Sequence, residues 1–337
     1  MIIIKVDIIG GSLSGLSSAI ILKQENKKIE VIVHEKHKKI GFNSDGRRCG
    51  EGYSLEEEWK HWKPIGGSIY SPINKVETIV DNKTYTLNRK PNTAFVLNRQ
   101  AFITQLAKQA DDLGVIIKTN DKIESIKELS SDYIVDASGC PSVVRRELGL
   151  KKGIVGITYQ QSIENCSHFF HDTMQIYLTA DSGYYWIFPR NPKKKEVNLG
   201  MGMVIRTHKN LKKQLEQFKE IYHISGTINY ETGGLIPAGI QKPLIYKNIV
   251  FVGDSGVGTF PLTGEGIYRA LLSGEIAARC IAHNNISEYP KIINDKFLKW
   301  DIAGKSMLRI NNTFSKISEK AVFFYWKRYL DWWYSFN

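Results

Sequence analysis

The feature that most constrains this chain lies near its start. Residues 2–9, "IIIKVDII", form an apolar, β-branched run that leads directly into "GGSLSG"; "LSSAIILKQEN" then has the apolar content of a helix, and residues 29–33 form a second β-branched run closed by His34 and Glu35. A strand, a glycine turn, a helix and a second strand ending in an acid make a βαβ unit of the kind that receives a dinucleotide. Gly10 permits the tight turn, Gly11 and Ser12 follow it, and Gly15 lets the helix pack closely. Ser12 occupies the middle glycine position, so the strict G-x-G-x-x-G pattern is broken. Amides at the helix start can still meet a pyrophosphate while Glu35 accepts hydrogen bonds from a ribose. The competing reading is a purely structural turn.

Farther along, two kinds of pattern alternate. Residues 62–95 read as short strands joined by Asn, Pro and Gly turns. A helical period returns over 98–113, with Phe102, Leu106 and Ala107 on one face and Gly114 as its stop. "SDYIVDASG" then ends a strand in a turn at 136–139, and "KNIVFVGDSG" repeats that design later. Between them, residues 155–235 are strand-rich, broken by one helix at 209–221, which indicates an antiparallel sheet. The expected fold is α/β: a Rossmann-like nucleotide-binding domain from 1–61, 96–154 and 236–295, interleaved with an antiparallel-sheet substrate domain from 62–95 and 155–235. An aromatic-rich helical segment, 296–337, follows.

Length and composition agree with two domains: 337 residues at roughly 150 per domain. Charged residues at 24% and hydrophobic ones at 42% exclude a disordered, collagen-like or coiled-coil chain. The net charge of +12 favours an anionic partner or surface. Cys49, Cys140, Cys166 and Cys280 are scattered without a CxxC pair, which favours a reducing compartment. No apolar stretch approaches 18 residues, so neither a spanning helix nor a signal peptide is expected. His34 with His37, and His168 with His171, lack a third ligand at convincing spacing, and no metal site is expected. The lysine run 193–195 after Asn191 and Pro192 reads as a solvated hairpin tip. In the final segment, Phe323, Trp326, Leu330, Trp333 and Tyr334 gather on one side of a helix, with Lys327, Arg328 and Asp331 largely opposite. That face either caps a domain or lies in a membrane interface.

Arg99 at a helix start, the "DASG" turn and the "GDSG" turn make the N-terminal unit far more selective than it is alone. Asp254 closes a strand before "GVGTFPLTGEGIYRA", where an acid can hold a ribityl hydroxyl and the amides that follow can approach the pyrimidine side of a flavin. With "RRCGEG" at 47–52, "DASGCPSVVRR" at 136–146, "YYWIFP" at 184–189 and "GGLIP" at 233–237, the sequence resembles the FAD-dependent geranylgeranyl reductases, flavoproteins of the para-hydroxybenzoate hydroxylase fold. The landmarks span nearly all of residues 1–275. The most distinctive is Tyr-x-Trp-x-Phe-Pro, on Tyr184, Trp186, Phe188 and Pro189, followed by Gly200 and Gly202 after a segment somewhat longer than the family's usual one.

The resemblance implies FAD held by Gly10, Gly11, Ser12, Gly15, Glu35, Arg48, Arg99, Asp254, Gly264 and Gly266. It implies a polyprenyl lipid or diphosphate lying along Tyr184, Trp186, Phe188 and Pro189, and it places Cys49 near the flavin, where Arg47 and Arg48 favour a thiolate or attract an anionic lipid end. A buried, inert Cys49 is the alternative. The expected activity is saturation of isoprenoid double bonds, with electrons from NAD(P)H or a small iron–sulfur protein, in the cytoplasm or at the inner face of the cell membrane. A flavin monooxygenase of the same fold is the rival enzyme. A noncatalytic or RNA-associated flavoprotein is the rival of another class, but the basic residues form no recognisable RNA-binding module.

Overall fold

The computed structural model describes residues 3–42, 50–55, 57–151, 153–181, 183–204 and 210–335. Its strands form three sheets. The first runs, in spatial order, Ile245–Tyr246, Ile249–Phe251, Tyr133–Asp136, Lys5–Ile9, Glu30–Glu35 and Ile116–Thr119. All its pairings are parallel except that of the first two strands. Strand Lys5–Ile9 sits where the order reverses, and in open parallel sheets ligands bind at the carboxyl end of such a strand. The runs read as continuous hydrophobic stretches because both sheet faces are covered: Val6, Ile8, Val31, Val33, Val135 and Val250 are buried.

The second sheet has seven strands, in the order Thr227–Pro237, Val155–Glu164, Glu196–Met203, Gly183–Asn191, Thr173–Leu178, Lys75–Val80 and Lys83–Asn88. The third pairs Gly52–Ser54, Ala94–Leu97 and Ile69–Pro72 antiparallel. Two compact units result, one from residues 1–46, 99–155 and 235–304, the other from 47–98, 156–234 and 305–337. Segment 296–337, read from sequence as a separate piece, is thus divided at residue 304 between the two units.

In the first unit, helix Leu13–Glu25 is buried at every position from Leu13 to Leu22. Its serines turn inward on backbone: Ser18 Oγ donates to Ser14 O (2.8 Å) and to Gly274 O (3.1 Å) of helix Ile267–Ala282. A Cβ on Gly274 would stand 2.2 Å from Ser17 Oγ and 2.3 Å from Ser14 O, so the two helices meet backbone against backbone. Buried Arg269 of the same helix donates to Gly258 O and Val257 O, each at 3.0 Å, and to Asp301 Oδ1 at 2.9 Å. Asp301 Oδ2 in turn accepts from the Ile240 amide at 2.6 Å. One ion pair therefore fixes the glycine-rich loop and helix Tyr289–Ser315 together.

In the second unit, helix Leu211–Ile221 lays Leu211, Leu215 and Phe218 onto Ile163, Tyr177, Ile187, Val197, Leu199 and Met201 of the seven-stranded sheet. Helix Glu319–Tyr334 buries Val322, Trp326 and Leu330. It is tied to the hairpin 75–88 by Lys327 Nζ on Asp81 Oδ2 (2.7 Å) and Tyr85 Oη on Asp331 Oδ1 (2.9 Å). The aromatic face read from sequence is thus the capping face. Trp326 and Leu330 are buried and Phe323 is half-buried, while the side chains of Trp333 and Tyr334 lie outside the described residues.

Gly274→Val is expected to force the two helices apart and to lower unfolding stability by about 1–3 kcal/mol, read as a reduced urea midpoint.

Candidate functional site

The carboxyl end of the central strand forms a cradle. Gly10 has φ +106°, a conformation L side chains rarely adopt, and donates its N–H to His34 O at 2.9 Å. A Cβ on Gly15 would lie 1.9 Å from Gly10 O, so only glycine lets the helix start sit on the strand end. Ser12 at the N-cap makes no side-chain cap, and the first turn carries no acid, which leaves its amides and the positive end of the helix dipole for an anion. Buried Glu35 accepts from the Gly11 amide and the His37 amide, each at 2.9 Å. These bonds fix the carboxylate, and its remaining lone pairs suit ribose hydroxyls.

Behind Glu35 lies a feature that sequence spacing did not assemble. His34 is 6% exposed and stands between two carboxylates, Nε2 at 2.8 Å from Asp7 Oδ1 and Nδ1 at 2.8 Å from Asp121 Oδ2. Burial alone lowers the imidazole pKa, but the hydrogen bonds and charges of Asp7 and Asp121 overcome it and raise the value. Burial likewise pushes Asp7 upward, and His34, Ser131 and Lys118 bring it below its ordinary value. The Asp121 amide donates to Glu35 O at 2.9 Å, so the ionic triad is joined to the backbone of the ribose-side acid.

Three other expected residues meet in the same unit. Arg99 begins helix Arg99–Asp112, Asp254 sits in the turn Gly253–Ser255, and Gly266 is the N-cap of helix Ile267–Ala282. Desolvation raises the Asp254 carboxyl, opposed by the Arg99 and Arg269 guanidiniums. A Cβ on Gly266 would lie 3.9 Å from Asp254 Oδ1, and Gly264 has φ +71°. This second helix start also lacks a side-chain cap and an acid in its first turn. Two uncapped helix starts, the Glu35 carboxylate held by backbone amides, and Asp254 near the second helix start suit the phosphates and hydroxyls of a dinucleotide. Asp136 of "DASG" faces inward instead, accepting from Ser138 Oγ (2.6 Å) and Ser142 Oγ (2.5 Å), with burial raising its pKa.

In the second unit, strand Gly183–Asn191 sorts its residues by alternation. Tyr185 stacks on Phe218 at 4.2 Å and Ile187 joins the helix-covered core. Tyr184, Trp186 and Phe188 face the other way, their ring centroids 5.7 and 6.5 Å apart in succession. Trp186 is in register with Gly200 and Tyr184 with Gly202. A Cβ on Gly200 would come within 2.2 Å of Trp186 Cζ2, so the missing side chain is what lets the indole lie over the neighbouring strand. A Cβ on Gly50 or Gly52 would lie 3.2 or 3.1 Å from Phe188 Cε2. Trp186 Nε1 is buried on this face with no hydrogen-bond partner among the described residues. Pro189 is in register with Val197 of the helix-covered core, on the side away from the aromatic row.

A buried ionic cluster flanks that row. Arg190 donates through Nε to Glu51 Oε2 (2.8 Å), through Nη1 to Glu196 (2.9 Å) and through Nη2 to Tyr70 Oη (3.1 Å). Asn198 Nδ2 adds a bond to Glu51 Oε2 at 3.1 Å. Burial opposes the Arg190 charge, but the two carboxylates raise its pKa. Glu51 belongs to the "RRCGEG" landmark, the one sequence signal for this cluster. Arg47, Arg48 and Cys49 of that landmark lie outside the described residues. Among the described residues no three His, Cys, Asp or Glu side chains are placed to hold a metal ion.

The fold is shared with solved structures that include a flavin-dependent enzyme. A solved geranylgeranyl bacteriochlorophyll reductase-like protein from Thermoplasma acidophilum superposes with a TM-score of 0.81 at 21% identity, over 95% of this chain and 90% of that one. The flavin-dependent halogenase CmlS shares the fold more loosely, with a TM-score of 0.69 at 15% identity over 89% of this chain and 63% of that one. Within this class the resemblance read from the motifs is borne out: residues 155–234 match the geranylgeranyl reductase catalytic domain. The digeranylgeranylglycerophospholipid reductase of Methanocella arvoryzae is 28% identical over 93% of this chain and 86% of its own length.

The His34 triad makes stability depend on pH. Because the folded pKa of His34 is raised, its contribution is complete below the ordinary value of about 6.5 and is lost as pH rises through the folded value. Asp7, with a lowered pKa, acts in the acid range: its contribution is present above about 3.9 and is lost as pH falls through the folded value. Urea midpoints of the wild type should therefore fall on the alkaline side, and His34→Gln should flatten that decline.

Proposed function

We propose that this chain is an FAD-dependent reductase that saturates isoprenoid double bonds of geranylgeranyl lipids, with a digeranylgeranylglycerophospholipid as its substrate. The observation that carries this reading is the row Tyr184, Trp186 and Phe188 over Gly200 and Gly202, inside the segment that matches the reductase catalytic domain. A polyprenyl chain is a ribbon of methyl-branched alkenes without a polar handle, and an aromatic row opened by glycines offers it apolar contact.

Gly10, Gly11, Ser12, Gly15 and Glu35 would hold the adenosine and pyrophosphate portion of FAD, and Arg99, Asp254, Gly264 and Gly266 the flavin end. FAD bound there and reduced by two electrons would supply a hydride from its N5 to one alkene carbon, returning to the oxidised flavin. The other carbon must take a proton, which water or the flavin itself can supply; Cys49, set near the flavin by the family resemblance, is the proposed catalytic residue. An isolated alkene has no carbonyl to accept developing charge, so alignment and exclusion of water fall to the aromatic row. Electrons would come from NAD(P)H or a small iron–sulfur protein; one dinucleotide cradle is formed among the described residues. No helix among the described residues is long and apolar enough to cross a membrane, and the proposed place of work is the cytoplasmic side, at the inner face of the cell membrane.

Protein reduced without oxygen and given digeranylgeranylglycerophospholipid should reoxidise its flavin while product mass rises by about 2 Da per reduced bond. Flavin reoxidation without that gain would overturn the reductase reading, and oxygen incorporation in air would establish a monooxygenase. Trp186→Ala should lower kcat/KM by about tenfold to a hundredfold with flavin content unchanged. Asp254→Ala should lower the flavin-to-protein absorbance ratio of the purified protein.

A further inference from the structure

Helix Glu319–Tyr334 has a second face. With Val322, Trp326 and Leu330 committed to the interior, the opposite side carries Phe324 at 63% exposure and Trp332 at 57%, and Ile317 in the preceding turn is 73% exposed. Lys320, Phe324, Arg328 and Trp332 succeed one another at four-residue spacing, which places them along one outward stripe. Arg328 holds its guanidinium carbon 5.5 Å from the Phe324 ring centroid.

The charge on this stripe is one-sided. Of the helix's two acids, Asp331 is bound to Lys83 at 2.5 Å and Glu319 stands at the N-terminal end. Lys327 is turned to Asp81 on the sheet side. Lys316, Lys320 and Arg328 therefore outnumber Glu319 on the outward side, in a chain of net charge +12.

We propose that this outward face docks the protein on an anionic phospholipid bilayer. Exposed Trp and Phe with interspersed cations are what an interface between headgroups and acyl chains accepts, the rings entering the apolar boundary and the cations meeting lipid phosphates. The ion pairs and buried residues on the inner face hold the helix to the hairpin 75–88, so the rings cannot rotate inward without breaking them. The helix lies on the surface and does not cross it. This inference goes beyond the reductase reading, and its test measures partition and not turnover, so either can fail without the other.

The full-length flavin-loaded chain is to be sedimented with vesicles of phosphatidylcholine alone and of phosphatidylcholine with phosphatidylglycerol, at low and high salt. Binding is expected to the anionic vesicles and to weaken with salt. Phe324→Ser with Trp332→Ser should reduce partition at least tenfold, and Lys320→Ala with Arg328→Ala by more than tenfold, at about fivefold per cation. Each variant is checked for wild-type circular dichroism and flavin content. Lys193→Ala with Lys195→Ala removes the same charge from the hairpin tip and should leave partition unchanged. The proposal is overturned if the hairpin-tip variant loses binding as fully as the stripe variants, or if binding ignores lipid charge. It is equally overturned if Phe324→Ser with Trp332→Ser only converts a dimer to a monomer while vesicle binding persists.

Discussion

Helix Leu13–Glu25 has ten consecutive buried residues at its start and so no side to give to water. It can be enclosed only where its neighbours come within backbone distance, and Gly15 and Gly274 provide that on two sides. The serines that would be a liability in such a place are satisfied by carbonyls of their own turn and of the crossing helix. Once the helix is seated this deeply, its uncapped start has one possible position, at the carboxyl end of strand Lys5–Ile9. Glu35 comes to the same end because its strand pairs in register, Ile9 opposite His34. The geometry of the dinucleotide cradle is therefore a consequence of close packing several residues away.

Both units also rely on a buried guanidinium shared among groups distant in sequence. Arg269 joins Asp301 to the carbonyls of the glycine-rich loop, and Arg190 joins Glu51 to Glu196. Taking such charges from water is costly, and a well-packed apolar substitute is often as stable, so their contribution is better sought in specificity of geometry. Glu51 illustrates it: the residue holds φ at +64°, unusual for a side chain with a Cβ, and its carboxylate is bound by Arg190 and Asn198. The backbone next to Phe188 is thereby held in one conformation.

Local signals were legible in the sequence and long-range partnerships were not. The glycine turn, the acid at 35, the turn at Asp254 and the alternation of Tyr184, Trp186 and Phe188 each follow from spacing within one element or between neighbours. The pairing of Trp186 with Gly200 is a register between adjacent strands, and the motif carried both halves of it. The His34 triad needs the middle of strand Lys5–Ile9, the end of strand Glu30–Glu35 and the segment after strand Ile116–Thr119 side by side, and Arg190 needs a residue 139 positions earlier, which no periodicity records. The C-terminal helix shows a subtler limit. Its apolar period was visible, but a period says which residues share a face and not what that face meets; here the richest stripe caps a sheet and the remaining aromatics turn outward.

From Tyr184 to Phe188, strand Gly183–Asn191 assigns its residues alternately to two surroundings, the aromatic row and the helix-covered core. A one-residue slip of its register would exchange them along its whole length, putting Tyr185 and Ile187 where Tyr184 and Trp186 stand. The turn that joins it to the next strand is under no such restriction: Pro192–Lys194 forms one short helical turn and Lys195 closes it at φ +46°. Residues added at this tip would fall where the two strands have already parted. Change in length and change in face are thus uncoupled, and drift at the hairpin tip leaves the register of the aromatic row intact.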